Sequence, residues 1–255
     1  MPLLDDHDVA LVRADNPGPF TLSGTNTWVV GRDPCWVVDP GPALDEHLAA
    51  IEAEVTARGG AAGIVLTHDH ADHADAAPAL AERLGVRVAA TRAARAVRIA
   101  DGDEVGPFRV VATPGHAPDH VALVAGRVCF TGDAILGEGS VFIAPDPGAL
   151  SGYLAALERL QGMDLAALCP GHGPVVEDPR AKIGQDLEHR RDRERRVIAA
   201  LDAGRRTVDE LLDEVWDDAP AVLRPAAAVT LAAHLDKLEE EGRLPEGVER
   251  PKWPW

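Results

Sequence analysis

Apolar positions follow two regimes along this chain, and the change comes about two-thirds of the way through. Up to about residue 180, apolar runs of strand length alternate with helical segments. Residues 27–30 and 35–38 are two such runs. They are joined by Gly31-Arg32-Asp33-Pro34, a turn-prone tetrapeptide that predicts a hairpin. Residues 45–58 carry an amphipathic helical pattern closed by Gly59-Gly60. A buried strand is expected over 63–67 and a helix over 78–84. Further strands are expected over 86–91, 108–113, 121–125 and 127–131, the last two joined at Gly126. Residues 150–160 read as a helix, and 165–169 run into a Pro-Gly-His-Gly loop. Strands interleaved with helices predict a layered α/β domain.

Beyond residue 180 the pattern is helical. Residues 185–203 are charged and rich in arginine, and Thr207-Val208-Asp209-Glu210 is a capping box that opens a helix to Trp216. A third helix is expected over 230–241, with Leu231, Leu235 and Leu238 on one face and Gly242 as its stop. Arg243-Leu244 is the one short candidate strand. Three short helices and a stub resemble a winged helix with little wing. The expected division is therefore 1–180 and 181–255.

Composition narrows the functional classes. The chain is 46% apolar, which supplies a core and argues against disorder. Its formal charge of −17 excludes long-range attraction of nucleic acid or an anionic membrane by the molecule as a whole. Cys35, Cys129 and Cys169 are far apart, form no Cys-x-x-Cys pair and sit in apolar runs, so buried reduced thiols are expected. The first eleven residues are acidic and lack the apolar stretch of a signal peptide, and no segment has the length of a membrane span. These features predict a cytoplasmic location with no membrane partner.

The chemistry is concentrated at strand ends. His68-Asp69-His70-Ala71-Asp72-His73 packs three imidazoles and the Asp72 carboxylate into six residues after the 63–67 strand. Imidazole and carboxylate are the donors of a catalytic zinc site without thiolate, although such a run alone is also compatible with a surface histidine cluster. Pro114-Gly115-His116, Thr131-Gly132-Asp133 and Pro170-Gly171-His172 follow in order, each where a strand is expected to end. The glycines let the backbone turn sharply so that the next side chain points into a cleft.

This ordered set resembles the metallo-β-lactamase superfamily. The resemblance implies an αββα sandwich with a small C-terminal all-α winged-helix-like domain. It implies two Zn²⁺ ions, one held by His68, His70 and His116 and the other by Asp72, His73 and His172, bridged by Asp133 and a hydroxide. Mn²⁺ or Fe²⁺ are the substitutes such donors accept. Asp72 is then also the proton acceptor. Asp39, in Val37-Val38-Asp39-Pro40-Gly41, matches the superfamily's first motif and is expected to orient a ligand imidazole. His120 is expected beside the ligands in a supporting role, whereas His7, His47, His189 and His234 read as surface or packing histidines. Many relatives place two glycines after the His-rich run, where this chain has Ala74-Asp75.

Outside the ligands the sequence resembles the β-lactamase-like protein 2 family. The similarity lies in Asn16-Pro17-Gly18-Pro19-Phe20-Thr21-Leu22-Ser23-Gly24-Thr25-Asn26-Thr27, in residues 131–139, in His189-Arg190-Arg191-Asp192-Arg193-Glu194 and in residues 234–242. That family includes an endoribonuclease, so the resemblance implies cleavage of single-stranded RNA as the leading activity. Hydrolysis of a small-molecule ester or thioester in the manner of glyoxalase II is the alternative. A winged-helix nucleic-acid-binding regulator is the non-enzymatic one. The 230–241 helix offers Lys237 alone and ends in three glutamates, so binding of duplex DNA is not expected.

Overall fold

Two twisted sheets face each other across an apolar seam, and helices cover both outer faces. The computed structural model describes residues 4, 8–92, 96–143 and 145–252; His7, Trp253 and Trp255 lie outside the described residues. The first sheet has the order β1 (Val9–Arg13), β2 (Asn26–Val30), β3 (Cys35–Val38), β4 (Ala61–Val65), β5 (Val88–Ala90) and β6 (Val97–Arg98). Its first two pairings are antiparallel and the rest parallel. The second sheet runs β11 (Ala167–Pro170), β10 (Val128–Gly132), β9 (Val121–Ala125), β8 (Phe108–Ala112) and β7 (Glu104–Val105), parallel only between β10 and β11.

The period-2 alternation of each strand sorts side chains between the layers. Trp28, Val38 and Val65 of the first sheet meet Val110, Leu123, Val128 and Phe130 of the second in the central seam. The alternate residues face outward. Val29, Val37 and Ile64 pack under α1 (Asp45–Ala57) and α3 (Ala77–Leu84), through Leu48, Ile51, Val55 and Leu80. Val111, Ala122, Cys129 and Leu168 pack under α4 (Ala149–Gln161) through Leu150, Tyr153 and Leu157. The short α2 (Ala71–Ala74) lies inside the His-rich run. All three cysteines are free and buried in these strands.

The tail consists of α5 (Pro179–Asp202), α6 (Val208–Val215) and α7 (Arg224–Glu240). The capping box at Thr207 and Glu210 is formed. α5 begins six residues earlier than its charge pattern indicates, because Asp178 caps it by accepting from Ala181 N. Its N-terminal half, at Ile183 and Leu187, packs in the α4 layer, and its C-terminal half, from Val197 on, builds the tail's own core. That core gathers Leu211, Leu212, Val215, Leu231, Leu235 and Leu238. No strand follows β11 among the described residues, so Arg243-Leu244 adds no wing. No described helix is long and apolar enough to cross a membrane.

The strands β1, β6 and β7 were not legible from the pattern. The last two are two residues each, too short to show a period, and β1 is an edge strand whose alternate residues reach solvent.

Candidate metal centre

The chain leaves five strands at one end of the sandwich, and each exit places a polar side chain in the same buried pocket. Asp39 follows β3, His68 to His73 follow β4, His116 follows β8, Asp133 follows β10 and His172 follows β11. Because the loops are short, the sheets fix the positions of these groups. His68, His70 and His116 bring one ligand atom each within 4.8 Å of one another, as do Asp72, His73 and His172. Asp133 stands between the two groups. One of its oxygens lies 3.6 Å from His116 Nε2 and 3.4 Å from His172 Nε2, and the other lies 3.5 Å from His73 Nε2. All seven residues that the sequence nominates are therefore brought together.

A layer of hydrogen bonds aims the rings. Asp39 accepts from Thr67 N at 2.8 Å and from Thr67 Oγ1 at 2.6 Å, and its Oδ2 lies 2.9 Å from His73 Nδ1. Since Thr67 Oγ1 donates to Asp39, it accepts from His68 Nδ1, 3.0 Å away, which leaves His68 Nε2 free. His120 Nε2 accepts from Asp133 N at 3.0 Å, so its Nδ1 donates to Thr113 Oγ1 at 2.7 Å. His116 Nδ1 is 3.2 Å from the Phe142 carbonyl, and His172 Nδ1 is 3.5 Å from that of Gly24. Asp39 thus contacts the His73 ring, and His120 contacts the Asp133 backbone. Thr67 and the two carbonyls were missed. Thr67 shows only as the last residue of the strand expected over 63–67, and a carbonyl leaves no trace in the choice of side chain.

Glycine is required where the backbone comes closest. A Cβ on Gly171 would lie 2.5 Å from His73 Cε1 and 2.6 Å from Asp133 Oδ1. Gly132 adopts φ +46°, and a Cβ there would lie 2.4 Å from Thr67 Oγ1. The Asn16 to Thr27 run acts from the other side. Asn26 Nδ2 donates to the carbonyls of Pro170 at 3.0 Å and Gly173 at 2.8 Å, clamping the loop that carries His172.

The electrostatics call for a cation. His68 Nε2 and Asp133 Oδ1 are buried and have no hydrogen-bond partner among the described residues. Nitrogens of paired rings face each other, His116 Nε2 at 3.0 Å from His70 Nδ1 and His73 Nε2 at 3.3 Å from His172 Nε2. Burial, reinforced by neighbouring imidazoles, pushes His68 well below the usual histidine range, and burial takes His116 down to about 4. Burial opposes charge on His73 and His172 too, but the Asp133 and Asp39 carboxylates hold His73 well above that range. Asp133 and Asp72 lift His172 to about 9. Burial would raise Asp133, yet His73 and His172 keep it well below the carboxylate range. Three carboxylates thus share a pocket that only positive charge makes tolerable. Divalent metal ions meet that demand and satisfy the orphaned atoms, so the donor set fits them.

Comparisons with known proteins point to one family. Residues 20–100 and 95–172 match the metallo-beta-lactamase superfamily, and residues 207–253 match the beta-lactamase associated winged helix domain. The chain is 31% identical to a Beta-lactamase-like protein 2 homolog of Caenorhabditis elegans, over 92% of this chain and 85% of the relative. It is 33% identical to an Atrochrysone carboxyl ACP thioesterase of Aspergillus novofumigatus, over 82% of this chain and 71% of the relative. In fold it is similar to a metallo-beta-lactamase family protein of Thermus thermophilus, with a TM-score of 0.76 at 24% identity, covering 92% of this chain and 94% of that one. The chain belongs to the metallo-β-lactamase superfamily of hydrolases, and it joins that catalytic fold to the winged helix domain associated with it.

Proposed function

We propose that the chain is a two-zinc hydrolase that cleaves the bond between the acyl carbon and the sulfur or oxygen of a small thioester or ester, adding water to give the acid and the free thiol or alcohol. His68, His70 and His116 would hold one ion, Asp72, His73 and His172 the other, and Asp133 would serve both. Bound there, zinc supplies a Lewis acid and brings the pKa of water toward about 7. The chain's own residues do the rest. Asp39 and Thr67 fix the tautomers of His73 and His68, and His120 holds the Asp133 backbone. Asp72 is the partly exposed carboxylate of the set. Its Oδ2 faces His172 at 3.1 Å, which leaves Oδ1 to accept a proton. No serine, cysteine or lysine nucleophile is needed. Beside the candidate ligands, the Phe142 ring packs 4.8 Å from that of His116, and Phe20 meets it edge-on at 5.8 Å while remaining half-exposed. That pair offers an apolar contact surface for an acyl group.

The observation that carries the acyl reading is the state of the arginine-rich helix. Arg191 pairs with Glu158, Arg193 with Asp218, Arg195 with Glu188 and Asp192, and Arg196 with Asp217. Arg190 is buried against the Ser140 loop, Arg205 pairs with Glu214, and Arg206 donates to backbone carbonyls. On a chain of charge −17, these paired cations form no basic track for a phosphate backbone along this helix. The relative named as a thioesterase supports the same reading.

Single-stranded RNA is the second reading. It is supported by the likeness to the β-lactamase-like protein 2 homologue and by a contact surface that could equally stack a base. Zinc-loaded protein given an aryl thioester of pantetheine and, separately, a labelled single-stranded RNA separates the two. Thioester turnover that is lost in Asp72→Ala, with the RNA intact, is the expected result. RNA cleavage lost in the same variant, with the thioester untouched, would overturn the acyl reading.

A further inference from the structure

The tail reaches back to one short segment of the catalytic domain. Between β10 and α4, the Gly139 carbonyl accepts from Lys182 Nζ at 2.9 Å, and Ser140 Oγ accepts from an Arg190 guanidinium nitrogen at 2.6 Å. The same nitrogen donates to the Val141 carbonyl. Ile143 N donates to Thr230 Oγ1 at 3.3 Å, and further on Gly148 N donates to Glu240 Oε1 at 3.0 Å. Every one of these partners sits on α5 or α7.

The anchors are buried. Arg190 is 2% exposed and Thr230 3%, and the Arg190 guanidinium lies over the Tyr153 ring at 5.5 Å. Val141 and Ile143 fill the same apolar cluster as Leu187 of α5 and Ala233 of α7. Burying a guanidinium is costly, and the Arg190 Nε has no hydrogen-bond partner among the described residues, so a tail that served only to cover the sandwich would do better with an aliphatic residue here. What Arg190 secures is the backbone of this segment.

Between the two pinned residues is Phe142. Its carbonyl is the Nδ1 partner of His116, and its ring packs on the same imidazole. His116 thus takes its orientation from a peptide held on one side by Arg190 and on the other by Thr230. The opposite metal position is held differently. His73 depends on Asp39 and His172 on Gly24, neither of which the tail touches in these bonds.

We propose that Arg190 and Thr230 are positioning residues through which the helical tail orients His116. They would thereby set the affinity of the metal position formed with His68 and His70. This inference rests on the two-metal reading above. The carbonyl keeps the proton on Nδ1 and the Nε2 lone pair aimed at the pocket. Release of residues 141–143 would let the ring turn, and one position would weaken while the other kept its ligands in place.

The test is stepwise zinc titration of the whole protein against a chromophoric chelator, with amide hydrogen exchange read at residues 141–143. Arg190→Met keeps the stem on Tyr153 and removes the donors. It is expected to weaken one zinc equivalent by about 10- to 100-fold, the usual effect of losing an outer-layer partner, and to speed exchange in the segment. The second equivalent should stay near its wild-type value. His116→Ala should abolish the same equivalent, and the double variant should show no further loss. Thr230→Val, which preserves shape, should move the same step by less, and it answers the question if Arg190→Met does not fold. A purely structural role would lower the melting temperature and leave both affinities unchanged, and that overturns the proposal. Wild-type protein that binds fewer than two zinc ions would instead overturn the metal reading beneath it.

Discussion

Thr67→Val removes one oxygen from the centre of the aiming layer and changes side-chain volume very little. The hydroxyl is fully buried, donates to the Asp39 carboxylate at 2.6 Å, and accepts a hydrogen bond from His68 Nδ1 at 3.0 Å. A hydrogen bond to a charged group contributes about 1.5–3 kcal/mol, and the His68 N–H stranded by the change costs about 1–3 kcal/mol. Asp39 keeps the Thr67 amide and His73, so it remains in place. His68 then has no fixed tautomer, and a ring with its proton on Nε2 cannot ligate through that atom. Metal affinity should fall by about 10- to 100-fold, and the apo protein should melt several degrees lower. Zinc titration and calorimetry of wild type, Thr67→Val and Thr67→Ser read both effects, with serine restoring the affinity. An affinity in Thr67→Val equal to wild type would refute the claim that this hydroxyl sets the His68 tautomer.

Three further outcomes are expected. Gly171→Ala forces a Cβ into the space of His73 and Asp133 and should abolish binding of at least one zinc ion, as read by metal analysis after dialysis. Phe20→Ala should raise KM for an aryl thioester by roughly 2- to 10-fold with kcat little changed, since an aromatic contact contributes about 0.5–1.5 kcal/mol; an unchanged KM would remove this contact surface from substrate binding. His234 is fully buried, neither ring nitrogen has a hydrogen-bond partner among the described residues, and burial depresses it to about 3. The unfolded chain binds this proton below about 6.5 and the folded chain does not, so stability falls as the pH drops between those values, by about 2 kcal/mol at pH 5. His234→Leu should flatten that slope in melting curves taken from pH 7.5 to 5, and an unchanged slope would count against it.

The sequence was most informative where function sits on side chains at strand ends. The His68 to His73 run, His116, Asp133 and His172 converge because four strands finish at the same edge, and strand ends can be read from apolar runs followed by Pro-Gly or Thr-Gly. Asp39 and His120 were legible only through the family resemblance, and His120 lies just before β9 rather than after a strand. Thr67 was not, because a threonine closing a buried strand is unremarkable until its hydroxyl is seen between two polar partners. The Phe142 and Gly24 carbonyls were beyond reach of any side-chain pattern. The start of α7 at Arg224 was missed because Pro225 occupies its first turn, where proline is tolerated, and the apolar stripe begins later. The acids interleaved in the arginine-rich helix are visible in its sequence, whereas the partners Glu158, Asp217 and Asp218, which complete its neutralisation, come from other elements.

The proposed two-metal centre is tested most directly by the zinc content of the dialysed protein, measured by elemental analysis beside Asp133→Ala. Two zinc ions per wild-type chain, with a marked loss in the variant, are expected if Asp133 serves both positions. One ion or none in the wild type, or two retained without Asp133, would contradict it.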